Sequence, residues 1–124
     1  MIWNKEMECA DRETMRALQL KKLKETVRCE YDNVPYYRDK MDKAGVKPED
    51  INTLEDIRKL PFITKEDIAV NYPTGLFAKP MEEIVRIHAS SGTTGKPKIA
   101  GYTRNDLALW GECVARAMAS AGQD

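Results

Sequence analysis

A chain of 124 residues is long enough for one modest domain with its own core. Lysine plus arginine (20) equals aspartate plus glutamate (20), so no global field draws the chain to nucleic acid or to an anionic membrane. No apolar run is long enough to span a bilayer and the N-terminus has no signal-peptide core, so a soluble, cytoplasmic protein is expected.

Residues 12–32 place Met15, Leu18, Leu23, Val27 and Tyr31 three to five apart with Lys, Arg and Glu between them, which predicts an amphipathic helix capped by Asp11. Asn33-Val34-Pro35 interrupts it. A second helix over residues 36–44, with Tyr36, Tyr37 and Met41 on its apolar side, stops at Gly45. Lys47-Pro48-Glu49-Asp50 reads as a turn. Thr53 caps a short helix over residues 54–59, with Glu55 and Asp56 where the helix dipole favours negative charge. Thr64 caps another over residues 65–71, with Asp67 in the place of the usual capping-box glutamate. Tyr72-Pro73-Thr74-Gly75 turns the chain, and residues 75–78 are expected to run briefly extended. Residues 83–89, rich in β-branched side chains, and residues 99–103 read as two strands of a hairpin. A last helix over residues 106–120, capped by Thr103 or Asn105, carries Leu107, Leu109, Trp110, Val114, Ala117 and Met118 as a broad apolar face. The apolar faces of the first and last helices imply either an all-helical cluster or a surface meant for further chain. Cys9, Cys29 and Cys113 are odd in number, far apart and without a C-x-x-C pairing, so they read as reduced thiols, and the single histidine, His88, gives them no obvious metal partner.

Between the two strands the chain concentrates phosphate-compatible chemistry. Residues 87–98 read Ile-His-Ala-Ser-Ser-Gly-Thr-Thr-Gly-Lys-Pro-Lys. Gly92 and Gly95 accept positive φ and let backbone N–H groups approach a ligand without a Cβ in the way. Successive N–H groups turned to one side form an anion-binding concavity. Ser90, Ser91, Thr93 and Thr94 add hydroxyl donors, and Lys96 and Lys98 add positive charge. An ordinary hairpin turn also selects glycine and hydroxyl residues, but it explains neither the four hydroxyls nor the two lysines. The Walker pattern G-x-x-x-x-G-K-[ST] does not fit, because two residues rather than four separate the glycines and Pro97 follows Lys96. Pro97 also disfavours helix for the residue before it, so the chain leaves the loop extended.

This loop resembles the phosphate loop of the adenylate-forming enzymes: Ile87, Ser90, Ser91, Gly92, Thr93, Thr94, Gly95, Pro97 and Lys98 fill every fixed position of that signature. Longer stretches are similar to the N-terminal part of the phenylacetate–coenzyme A ligase family, among them Val34-Pro35-Tyr36-Tyr37-Arg38, Ala44-Gly45-Val46, Leu60-Pro61-Phe62, Asn71-Tyr72-Pro73 and Arg86-Ile87-His88-Ala89. The resemblance implies an α/β fold, the N-terminal portion of a ligase large domain, mostly helical in this stretch with a short β-hairpin carrying the phosphate loop. Residues 1–80 would form a helical segment and residues 81–124 the start of an ATP-binding domain. It further implies an enzyme that uses ATP and Mg²⁺ to turn an aryl carboxylic acid into an acyl-adenylate and passes the acyl group to coenzyme A. Ser91, Gly92, Thr93, Thr94, Gly95 and Lys98 would contact the nucleotide, with Ser90 and Lys96 supporting, and no catalytic or metal-ligating residue falls in the chain. His88 stands where the family also has histidine; a structural role, one ring nitrogen bonded to backbone, is expected for it. The family's adenine and acid pockets and its catalytic lysine would follow Asp124, so the partner implied is the remainder of a ligase chain, the 124 residues are expected to be inactive alone, and such ligases are often dimers. The alternative from another class is a stand-alone, non-catalytic module that binds a phosphate or a protein.

Overall fold

Asn4 opens the first helix: its Oδ1 accepts the Met7 N–H at 3.1 Å, and α1, Lys5–Glu8, follows. The computed structural model describes residues 1–90 and 97–122. Sequence periodicity does not signal α1, because four residues are too few to show a repeat and its anchors lie far along the chain. Trp3 Nε1 and Asn4 Nδ2 donate to the two carboxylate oxygens of Glu112 at 2.9 and 2.8 Å, and Glu8 meets Arg116 at 3.5 Å.

Asp11 caps α2, Arg12–Asn33, by accepting the Thr14 N–H at 2.7 Å. Val34, almost wholly buried, ends α2, and Pro35 opens α3, Pro35–Lys43, at the first helical position, where its missing N–H has no cost. Gly45 follows α3 at φ +68, the left-handed position that a glycine takes without strain. The core lies where these two helices meet the next segment: Val27, Met41, Val46 and Ile51 are buried together, with Leu23, Tyr31, Tyr37 and Leu60 packed around them. Of the predicted stripe on α2 only Val27 is fully buried.

Two expectations change here. Pro48–Asp50 and Leu54–Lys59 are 3₁₀ helices rather than a plain turn and an α-helix. The second is cut short by Leu60-Pro61, since a residue before proline avoids the helical region. Thr64 then caps α4, Lys65–Val70, in a reciprocal box with Asp67, with Thr64 N donating to Asp67 Oδ2 at 2.7 Å and Asp67 N to Thr64 Oγ1 at 3.3 Å. Residues 75–78 are not extended. Gly75 N donates to Asn71 O at 2.8 Å and Phe77 N to Thr74 O at 2.9 Å, so the backbone groups that a strand would offer are consumed in consecutive turns.

After a short 3₁₀ turn, Met81–Glu83, strand β1, Ile84–Ser90, pairs antiparallel with β2, Lys98–Thr103, in a two-stranded sheet. Thr103 caps α5, Arg104–Ser120, again in a box, with Asp106. The apolar face predicted for α5 is largely turned outward: Leu109 is 61% and Met118 51% exposed, and only Ala119 is buried. α2 packs on α3 and on the two 3₁₀ segments, whereas α5 packs on β2. The choice between a helical cluster and an uncovered apolar surface therefore falls to the latter. Among the described residues no helix is long and apolar enough to cross a membrane.

Candidate nucleotide-phosphate site

The hairpin register decides which side chains can act together. Arg86 pairs with Tyr102, His88 with Ala100 and Ser90 with Lys98, so these six share one face of the sheet. Ile87 with Gly101 and Ala89 with Ile99 share the other. Ser90 and Lys98 are thus the two arms at the mouth of the hydroxyl- and glycine-rich loop, side by side and both exposed. The remaining sequence-predicted contacts, Ser91, Gly92, Thr93, Thr94, Gly95 and Lys96, lie outside the described residues.

Each face of the hairpin is held by a different part of the chain. On the first, the His88 ring lies 4.9 Å from that of Tyr102 and 5.5 Å from that of Trp110 on α5, and Tyr102 stacks on Trp110 at 5.5 Å. The expected bond from a His88 ring nitrogen to backbone is absent among the described residues; edge and face contacts between rings hold the imidazole instead. On the second face Gly101 lets Phe77 lie directly against the strand, so close that an added Cβ would meet the ring at 2.5 Å. Sequence reading put Trp110 on a helix face and did not single out Tyr102 or Phe77. The period-two spacing of Lys98, Ala100 and Tyr102 opposite Ser90, His88 and Arg86 was the signal available.

A cleft of about 530 Å³ at this end of the hairpin is lined by Ile63 and Ile68 together with Ser90, Lys98 and Tyr102. Ile68 is placed by α4, and α4 is locked by Asp67. That buried carboxylate accepts Lys40 Nζ at 2.7 Å, the Tyr36 hydroxyl at 2.5 Å and the Thr64 N–H at 2.7 Å. The Lys40 ammonium, the Tyr36 hydroxyl and the Thr64 amide together hold its carboxyl well below the usual range of an aspartate. Tyr36 in turn has its hydroxyl pushed upward, first by that bond to Asp67. The described mouth of the site therefore combines an ammonium, a hydroxyl and an apolar wall, chemistry suited to an anion carrying an organic group.

No protein-family model matches the chain. A phenylacetate–coenzyme A ligase of Thermus thermophilus is 51% identical over 122 residues, which is 98% of this chain and 27% of that protein. The phenylacetate–coenzyme A ligase of Escherichia coli is 53% identical over 116 residues, 94% of this chain and 26% of its own length. In sequence, this chain is homologous to phenylacetate–coenzyme A ligases. It spans about a quarter of the length of the curated relatives it matches. A ligase homologue is also what the fold indicates: a solved 2-hydroxyisobutyryl-CoA ligase in the postadenylation state superposes with a TM-score of 0.84 at 26% identity over 98% of this chain and 26% of its own. The same enzyme in complex with 2-HIB-AMP and CoA superposes with a TM-score of 0.78 at 28% identity over 87% of this chain and 24% of its own. The mostly helical segment followed by a hairpin is thus the N-terminal part of an adenylate-forming CoA ligase fold.

Proposed function

We propose that this chain is the phosphate-loop-bearing part of an ATP-dependent ligase that joins an aryl acid of the phenylacetate type to coenzyme A. The observation that carries the reading is the register that sets Ser90 beside Lys98 at the two ends of a Ser-Gly-Thr-Thr-Gly-Lys loop, in a chain half identical to such ligases. In this reading residues 1–80 are a helical segment and residues 81–124 begin the ATP-binding domain. Lys98, the loop hydroxyls of Ser91, Thr93 and Thr94 and the glycine N–H groups hold the β- and γ-phosphates, with Ser90 and Lys96 supporting.

The chemistry asks for such a grip. A carboxylate is a poor electrophile; its oxygen attacks the α-phosphorus of ATP, pyrophosphate leaves, and the acyl-adenylate then loses AMP when the coenzyme A thiol attacks its carbonyl. Donors fixed around the departing pyrophosphate stabilise the charge that gathers on it. Mg²⁺ would arrive on the nucleotide phosphates, its usual mode of binding. The residues for adenine, acid and thiol belong to the remainder of the ligase chain, so the 124 residues alone have no turnover in this reading.

The test has two parts. The intact mass of the native gene product is expected to be several times that of this chain, and that product is expected to release AMP in a phenylacetate- and CoA-dependent assay. A native mass equal to this chain, or the absence of acid-dependent AMP release from the longer product, would favour the phosphate- or protein-binding module instead.

A further inference from the structure

His88 is the only histidine of the chain and takes no part in the nucleotide contacts proposed above. Its ring is wedged between two others, tilted 55° to Tyr102 and set edge-on at 72° to Trp110, while Tyr102 and Trp110 lie nearly parallel at 26°. Tyr102 belongs to β2 and Trp110 to α5, so through His88 the strand that leads into the loop, β1, is tied to both its neighbour and the helix. Ser90 is the next residue of β1 on the same face, and Lys98 stands opposite it. Two strands alone make a weak platform. The face of the hairpin that carries Ser90 and Lys98 is therefore braced against α5 by this three-ring wedge.

We infer that His88 is a positioning residue for nucleotide phosphates: its ring, fixed by Tyr102 and Trp110, sets the placement of Ser90 and Lys98. The inference rests on the ligase reading for the identity of the ligand. It makes the ring's shape, rather than a proton or a lone pair, the feature that matters. Phenylalanine therefore replaces His88 in function, and alanine does not.

In the native gene product, His88→Ala raises the KM for ATP about tenfold with a much smaller change in kcat, and His88→Phe returns the KM to within about threefold of the starting value. A KM for ATP in His88→Ala within about twofold of the parent, or a His88→Phe variant as impaired as His88→Ala, overturns the inference. A second readout does not depend on turnover. In protein labelled with 5-fluorotryptophan, the ¹⁹F line of Trp110 is identified by its loss in Trp110→Phe, and pyrophosphate is added. The line is expected to shift in the parent and in His88→Phe and to stay put in His88→Ala. A His88-dependent shift in a protein that makes no AMP from phenylacetate would sink the ligase reading and leave the positioning role standing. The same response in the parent and in His88→Ala, or none in either, sinks the positioning role whatever the activity.

Discussion

Replacing Gly101 by alanine puts a methyl group into a space the structure has already filled. The added Cβ would lie 2.5 Å from Phe77 Cε2, 2.7 Å from Phe77 Cζ and 3.2 Å from Ile84 Cγ2. To reach ordinary contact the ring must retreat by about 1 Å out of a half-buried site, an overpacking that costs roughly 1–3 kcal/mol. Against that, removing a glycine reduces the freedom of the unfolded chain and returns roughly 0.4–1 kcal/mol. The net expectation is a loss of about 1.3 kcal/mol. A double-mutant cycle with Phe77→Ala, which removes the ring that clashes, isolates this contact. In that background Gly101→Ala should become neutral or mildly stabilising, a coupling of about 2 kcal/mol. Urea unfolding followed by circular dichroism supplies the four stabilities, provided that the slope is unchanged between variants. An equal cost of Gly101→Ala with and without the Phe77 ring would refute the argument, as would a gain in the parent background.

Met41 is fully buried at the centre of the core, and Met41→Ala removes three heavy atoms beyond Cβ. Transfer at about 0.8 kcal/mol per group plus the cavity left behind gives a loss of about 3–4 kcal/mol, read from the same urea transitions. Asp67 contributes stability through a folded carboxyl held below its ordinary value of 3.8, so its contribution is fully present above that value and is lost as the pH falls through it toward the folded one. Asp67→Asn should flatten the acid limb of stability between about pH 5 and pH 2, relative to the parent, while an unchanged limb would mean that the Lys40 and Tyr36 contacts do not favour the charged form. Lys98→Ala in the native gene product should raise the KM for ATP roughly tenfold, and an unaltered KM would remove Lys98 from the nucleotide contacts.

Helix starts were legible because their chemistry is local. Asp11, Thr64 and Thr103 each accept the N–H three residues ahead; the first two were readable from a hydroxyl or carboxylate preceding an apolar repeat, and Thr103 was one of two candidates beside Asn105. The glycine and hydroxyl spacing of residues 90–98 is equally local as a sequence pattern, and residues 91–96 of it lie outside the described residues. One failure is a local turn and the others are tertiary. Residues 75–78 read as extended from their composition, yet Asn71 and Thr74 carbonyls capture the Gly75 and Phe77 amides. α1 escaped because its partner, Glu112, lies over a hundred positions away. Trp110 and Met118 looked like core residues on α5, but the sheet that α5 covers has only two strands, too narrow to bury both. The residues packed on the hairpin, Phe77, Tyr102 and Trp110, come from three separate segments, and nothing in their own neighbourhoods marks them as neighbours.

The two faces of the hairpin separate stability from ligand placement. Phe77 reaches the strand only because residue 101 has no side chain, so that contact is a packing fit whose loss shows as unfolding free energy. His88 is held by ring contacts on the face that also carries Ser90 and Lys98. Losing one ring from that wedge leaves the buried cluster of Val27, Met41, Val46 and Ile51 untouched, because those residues lie on α2, α3 and the segment after them. The core and the loop's platform are thus built from different stretches of chain. A sequence can vary one without disturbing the other, and substitutions at His88 should move the KM for ATP at nearly constant melting temperature, while those at Met41 should do the reverse.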